Sequence, residues 1–373
     1  MTWIFWFAAA LIAYTYVGYI AWLWLQAQLF PWPVLRSGQE HHISVVMVVR
    51  NEEGVLEDKL QNLLNLDYPA EKCRIIVVSD GSTDKTEGIL NKYSEHPRVE
   101  VTLNPLPRGK ACGLNDACER ARGEIVVFTD ARQKIEGSAL RLLMENFADS
   151  QVGCVSGELM LGDPAAGESS RGMGLYWRIE KRVRELEAAS GSVVGATGAL
   201  YAVRRELLEA LPAGAILDDV YIPLQVARKG SRVLFDPRAR AWDSPSLGDK
   251  LEFSRKVRTL SGNYQLLQAA PWLLSGKNPI RFRFVSHKLL RLAVPFALAV
   301  VLAGSIVLSG IVYRIALLLQ LLLYALSLVA VLRLNKGPLA RVADASLTFV
   351  LLNTAALVAF ANFVTGRKTA WSR

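Results

Sequence analysis

The sequence predicts an α/β domain set between transmembrane helices, and three observations carry that expectation. Hydrophobic residues make up 51% of the 373-residue chain, above the usual share for a soluble globular protein. The excess lies in four charge-free apolar stretches, at residues 2–25, 292–312, 315–332 and 345–364. In the polar part between them, the runs CRIIVVSD and EIVVFTD read as buried strands that carry Asp80 and Asp130 out into polar loops. Parallel strands ending side by side deliver their C-terminal loops into one crevice, where open α/β sheets bind ligands. Two acids meeting there need a cation, a base or a ribose as partner, so the pattern points to a nucleotide site.

Residues 2–25 are as long as the roughly 20 residues a spanning helix needs and are followed by Pro31 and Pro33. They lack a basic n-region and a clear small-x-small site, so residues 1–30 are read as an anchor, with a cleaved signal peptide as the alternative. The second and third stretches are separated only by Tyr313 and Arg314, so a tight hairpin is expected, and residues 291–366 are read as about three spans. Arg281, Arg283, Lys288 and Arg291, with Arg333, Lys336 and Arg341, put the polar domain in the cytoplasm by the positive-inside rule. Four spans then leave Arg367, Lys368 and Arg373 of the 367–373 tail outside, against the same rule. Either the last segment is re-entrant or the tail is an exception.

A formal charge of +9 raises the question of nucleic acid. Membrane topology and anionic lipid account for the basic residues, and no nucleic-acid-binding motif is present, so no nucleic-acid partner is expected and membrane lipids are. Cys73, Cys112, Cys118 and Cys154 form no CxxC pair and read as reduced structural thiols. The four histidines fall outside every candidate motif, which argues against a Ser/His/Asp triad or a histidine metal site.

The polar domain, residues 39–245, opens with a strand at 43–49 that ends in Arg50, Asn51 and Glu52. A helix over 54–66 follows, apolar at Val55, Leu60, Leu63 and Leu64 and stopped at Tyr68-Pro69. The strand at 74–79 then exits into Asp80, Gly81, Ser82, Thr83 and Asp84, completing a βαβ unit. Gly81 allows a tight turn near a ligand, and Asp84 either caps the next helix or touches that ligand. After a strand at 99–103, Gly109-Lys110 opens a helix containing Asn115, and the strand at 125–128 presents Asp130. Residues 176–188 read as a charged amphipathic helix, either solvated or lipid-facing. Asp218 and Asp219 start a further helix, where acids favour the macrodipole. In the stretch 246–290, Phe253, Val257, Leu260, Tyr264 and Leu267 form a helical stripe ahead of Pro271, expected in the headgroup layer, with Arg255 and Arg258 sharing another face.

The ordered series VVMVVRNEE, VVSDGSTD, Gly-Lys, FTDAR, ATGALYAVRRE and LDDVYIPLQVARKG, spanning residues 44–230, resembles the membrane-bound family 2 glycosyltransferases. That group includes processive synthases of cellulose, hyaluronan and poly-N-acetylglucosamine. The resemblance implies a GT-A fold, a nucleotide-sugar donor with uridine as the base, Mg²⁺ or Mn²⁺, and inversion at the anomeric carbon. It implies that Glu52 and Asp80 hold the uridine part, that Lys110 lies near the diphosphate, and that Asp130 is the first acid of the DxD metal motif. Arg132 stands where that motif has its second acid, so one carboxylate would share the metal with phosphate oxygens and water. Arg132 then pairs with the diphosphate or with a structural acid. Asp219 takes the family's general-base position, with Asp218 as its neighbour, and Gly198 and Ala199 match the acceptor-side loop.

Arg255 and Arg258 match the basic half of the synthases' Q/R-x-x-R-W motif, but Thr259 stands in place of the tryptophan. A growing polymer loses its stacking platform there. With only four spans, this favours transfer of one sugar to a lipid-linked or membrane-delivered acceptor in envelope or exopolysaccharide synthesis, at a bacterial inner membrane. The alternative is a processive synthase, which would need oligomerisation or accessory export subunits. A silent scaffold would have let the strand-end acids decay, yet Asp80, Asp130 and Asp219 are all present.

Overall fold

The computed structural model describes residues 1–162, 175–243, 249–332 and 338–367. Its centre is one sheet built from β1 (Ile43–Val49), β2 (Cys73–Asp80), β3 (Val99–Asn104), β4 (Ile125–Phe128), β5 (Lys134–Ile135), β6 (Val152–Leu161), β7 (Tyr201–Arg204) and β8 (Arg232–Asp243). The strand order is β3-β2-β1-β4-β7-β6-β8-β5. The first four of these are parallel to one another, whereas β7 runs antiparallel to both β4 and β6.

Within the parallel half, β1, β2 and β4 are buried on both faces, as their near-continuous apolar runs require, and β3 is the half-exposed edge. Val45, Met47 and Val49 pack under the Leu56–Leu64 helix, while Val46 and Val48 face the Lys110–Arg120 helix. Ser44 is the one polar residue of β1, and its hydroxyl accepts the Arg122 and Gly123 amides, so its burial leaves that oxygen partnered. Because β1 lies between β2 and β4, the segments after all three strands open at one edge. That edge carries Asn51 and Glu52, the 80–84 turn, and Thr129 to Arg132.

Four helices are long and apolar enough to cross a membrane: Thr2–Leu29, Arg281–Val307, Ile311–Val331 and Leu339–Val364. The first packs on the second where Gly304 leaves room for Phe5; an added Cβ there would come within 2.9 Å of the ring. Close approach through small residues is the usual way apolar helices associate in lipid. The Tyr313 ring packs edge-on against Phe5 at 4.9 Å.

Two expectations are corrected here. The hairpin turn lies at Leu308 to Gly310, not at Tyr313-Arg314, because Gly310 adopts φ 135° and the helix resumes at Ile311. The second apolar helix begins at Arg281 instead of 292, since its charged first turns are held by protein partners. The charged helix, Leu175–Ala189, buries one face, with Val183, Leu186 and Glu187 against Tyr19 and Leu23 of the first apolar helix, while Arg178 and Arg182 of its basic face stay exposed.

The stripe of the Asp249–Ala269 helix meets protein as well. Tyr264 stacks on Phe363 at 5.0 Å, and the helix packs along the fourth apolar helix. Lys368 and Arg373 of the tail, and Arg333 and Lys336, lie outside the described residues.

Candidate active site

The turn after β2 is stitched to the segment after β1 by backbone-to-side-chain bonds. Asn51, at φ 53°, accepts the Thr83 amide on its Oδ1 at 2.8 Å, and the Glu52 amide donates to Thr86 Oγ1 at 2.9 Å. Asp84 accepts the Glu53 amide on one carboxylate oxygen and the Thr86 amide on the other, so it ties the turn together just ahead of the next helix. Asp80 is fully buried, and its two oxygens accept the Arg108 amide at 2.7 Å and the Gly109 amide at 2.9 Å. It thereby clamps the 105–109 loop over the strand end. Gly81 makes that approach feasible, since its φ is 63° and a Cβ would meet Pro107 N at 2.6 Å.

Glu52 and Arg132 form a forked ion pair, with Arg132 Nη2 3.1 Å and Nε 3.3 Å from the carboxylate. The arginine in place of a second metal-type acid therefore pairs with a carboxylate of the same crevice. Lys110, at the start of its helix, reaches Asp130 Oδ1 at 2.9 Å and Asp218 at 3.2 Å. Burial opposes its charge, but Asp130 and Asp218 outweigh that and raise the ammonium above the ordinary lysine range.

Asp219 differs from its neighbours. Its half-buried carboxylate makes no hydrogen bond or ion pair among the described residues, while its main-chain oxygen accepts the Ala196 amide at 2.7 Å. Burial first, then the Asp218 carboxylate, push Asp219 up to about 6, with Lys110 and Lys288 pulling the other way. Gly198 sits between the acids: a Cβ on it would lie 3.3 Å from Asp130 Oδ2 and 3.6 Å from Asp219 Oδ2. Its missing side chain keeps the space between the two carboxylates open.

Five of the expected residues, Lys110, Asp130, Gly198, Asp218 and Asp219, thus converge at one point, with the Glu52–Arg132 pair on the same strand-end edge. Ala199 is buried and contributes only its carbonyl, which accepts the Thr129 hydroxyl at 2.8 Å. Arg255 and Arg258 are half-buried and form no ion pair among the described residues. No group of three metal-type side chains occurs among the described residues. Asp130, 39% exposed, presents one carboxylate, which fits a cation completed by phosphate oxygens and water and not a preformed protein cage.

One residue of the site carries no motif. Lys59, on the helix after β1, is 3% exposed and donates to Thr129 Oγ1 at 2.8 Å and to Gln133 O at 2.6 Å. It bridges both ends of the Thr129 to Gln133 loop. Burial pushes its ammonium down to about 7 against the pull of Asp130. Its signal in the sequence is a lysine inside the apolar stripe Leu56, Leu60, Leu63. Tyr201, inside the ATGALYAVRRE segment but not singled out there, is fully buried and stacked on Phe128 at 4.5 Å, with a hydroxyl that lacks a partner among the described residues. Burial, then Asp218 and Asp219, hold that phenol well above its ordinary range.

The profile of the family described as Glycosyl transferase family 2 matches residues 44–211. A β-monoglucosyldiacylglycerol synthase of Synechocystis is 26% identical over 172 residues, covering 45% of this chain and 36% of that protein. A poly-β-1,6-N-acetyl-D-glucosamine synthase of Staphylococcus aureus is 25% identical over 246 residues, covering 63% and 58%. The chain thus spans about half the length of the curated relatives it matches, or less. Among solved structures, a mannosyltransferase of Pyrobaculum calidifontis, in complex with GDP-Man and Mn²⁺, is 24% identical. It superposes with a TM-score of 0.75 over 98% of this chain and 100% of that one. Sheet order, strand-end acids and these likenesses agree, and the chain carries a family 2 glycosyltransferase domain of GT-A fold among four apolar helices.

Proposed function

We propose that the protein is an inverting glycosyltransferase that moves one sugar from a nucleotide-sugar onto a lipid-linked or membrane-delivered acceptor. The observation that carries this is Asp219: an unpartnered carboxylate, pushed up to about 6, beside the gap at Gly198. An acceptor hydroxyl in that gap gives its proton to Asp219 as its oxygen forms the bond to the anomeric carbon. The carbon–oxygen bond to the diphosphate breaks on the opposite face, and the nucleoside diphosphate leaves with the electron pair.

Lys110 is the cation for the charge that develops on the leaving diphosphate. Holding Asp130 and Asp218 in the ground state keeps it fixed and charged, so little reorganisation is needed at the moment of reaction. A divalent cation, held by Asp130 and diphosphate oxygens, would draw off further charge from the leaving group. Glu52 and Asp80 line the nucleoside end, Asp80 by shaping the 105–109 loop. Gly198 and the Ala199 carbonyl frame the acceptor side, and Arg255 and Arg258 supply positive charge at its rim.

The glycolipid-forming relative supports a lipid acceptor, and Thr259 in place of an aromatic platform supports a single transfer. The poly-N-acetylglucosamine synthase relative supports a second reading, processive extension with export through partner subunits or an oligomer. The basic residues at the span ends support a cytoplasmic catalytic domain at a bacterial inner membrane. The test is nucleotide release by the full chain in lipid vesicles, across UDP- and GDP-sugars with Mg²⁺ or Mn²⁺, and chain-length analysis of the product. Release with one sugar added per acceptor supports the proposal; long product chains favour the processive reading, and no release from any donor contradicts both.

A further inference from the structure

We propose that Arg283, in the first turn of the second apolar helix, is a positioning residue for transfer: it sets the buried segment that carries the gap at Gly198 and holds the main chain of Asp219. This rests on the transferase reading above, and adds that the acceptor side of the crevice depends on how a membrane helix is seated.

The joint is the turn that follows the Leu175–Ala189 helix. The last carbonyls of a helix have no partner inside it, and here every main-chain oxygen from 187 to 192 finds one outside. Arg283, 7% exposed, donates from Nη1 to Glu187 O at 2.5 Å and Ser192 O at 3.1 Å, and from Nη2 to Ser190 O at 2.8 Å. Arg232, the first residue of β8, donates to Ala188 O at 3.2 Å and to Gly191 O at 3.4 Å. The Trp32 amide, just past the first apolar helix, donates to Ala189 O at 2.8 Å. Two membrane helices and the sheet thus grip one turn, and the second apolar helix holds three of its six oxygens through a single planar fork. Gly191 lets that fork lie close, since a Cβ there would come within 3.0 Å of Arg283 Nη2.

From this turn the chain reaches the site without slack. Residues 191–197 are buried and irregular, so their backbone groups must be met by the surrounding fold. The Val193 amide donates to Val233 O at 2.9 Å, the Ala196 amide to Asp219 O at 2.7 Å and the Thr197 amide to Ser156 Oγ at 3.0 Å. Gly195 lies on the start of the helix that carries Asp219, where a Cβ would sit 3.2 Å from Val220. Ala196 is only four residues beyond Ser192. A close-packed interior does not absorb a displacement by stretching, so a shift of the turn is passed on to Gly198 and Asp219.

The test uses the full chain in lipid vesicles, with hydrogen exchange read by mass spectrometry on peptides covering 190–200 and with turnover and donor affinity on the same preparation. Arg283→Met is expected to speed exchange in that segment and leave peptides of β1 and β2 unchanged. Turnover is expected to fall by roughly 10²-fold, the cost of about 1 Å of misplacement, with donor affinity kept within about threefold. Arg283→Lys, whose ammonium also donates to more than one oxygen, is expected to recover part of the turnover. Gly191→Ala crowds the guanidinium without removing it and is expected to act in the same direction, which keeps the test open if Arg283→Met does not fold. Turnover within about threefold of wild type overturns the proposal, and so does unchanged exchange in the segment. Faster exchange throughout the domain, or donor affinity lost in proportion to turnover, makes Arg283 a structural residue and overturns it as well. Failure of the transferase reading would appear separately, as absence of nucleotide release from every donor by wild type, with the exchange result still standing.

Discussion

The two walls of the crevice are electrostatic opposites. On the wall built by β1, β2 and β4, the charges are paired: Glu52 with Arg132, Asp80 with two backbone amides, Asp130 with Lys110. On the opposite wall, formed by the start of the Asp218–Arg228 helix, the Asp219 carboxylate has no such partner among the described residues. Fixed pairs suit the binding of a donor that is charged from the start, because the dipoles are already oriented. An unpaired carboxylate is strained in its ionised form, and that strain makes it a better base near neutral pH.

The comparison breaks most visibly if the paired wall is opened. Lys110→Met leaves Asp130 and Asp218 without their cation, and transfer is expected to fall by roughly 10²–10³, the range for removing one group that stabilises developing charge. A steady-state assay at saturating donor checks this; a loss below tenfold would mean the metal alone carries the leaving group.

Lys59→Met is expected to have the next largest effect. It frees the Thr129 to Gln133 loop and leaves the Gln133 carbonyl short of a donor, at about 1–3 kcal/mol. A fall in turnover with donor affinity nearly kept, restored in part by Lys59→Arg, would mark it as a positioning residue. An equal fall in melting temperature and activity would mark it as structural only.

The unpaired wall is sharpened by pH. Because Asp219 is raised from an ordinary 3.8 to about 6 and acts when ionised, transfer is expected to rise with pH through about 6 and level off above it. The same raised value means that the fold is favoured by protonation, and that this contribution is lost as pH rises from near 3.8 through about 6. Asp219→Asn should therefore melt higher than wild type at pH 7.5, with the gain shrinking by pH 4. A pH-independent difference in melting would contradict the burial of an ionised acid.

The smallest expected effect is a control. Arg182 pairs with Glu185 on an exposed face, so Arg182→Ala should change stability by no more than about 0.5 kcal/mol. A larger loss would mean that the Leu175–Ala189 helix is held through its outer face.

The paired wall was the legible one in the sequence. Asp80, Lys110 and Asp130 each follow a strand or open a helix, where local pattern reveals position, and Asp219 stands out at a helix start. The buried charge cluster at the base of the second apolar helix is not legible, because its members come from residues about a hundred apart, such as Glu180 and His287, and no local pattern joins them. The buried face of the charged helix is hidden for the same reason: nothing local tells Glu180 and Glu187 from solvated acids until the partners that bury them are known. Hydropathy also placed the start of the second apolar helix near residue 292, since it counts Arg283 and Arg291 as breaks when they are satisfied by carbonyls and a carboxylate. Lys59 is hard to see in the sequence because its apolar neighbours Leu56, Leu60 and Leu63 complete a helical stripe without it.

The most direct test is single-turnover transfer by Asp219→Asn in lipid vesicles, alongside donor affinity measured on the same preparation. Removal of the base with the paired wall intact should lower transfer by about 10²–10⁴ while donor affinity stays within about threefold. Transfer within tenfold of wild type would contradict Asp219 as the base, and loss of donor binding would contradict the separation of the two walls.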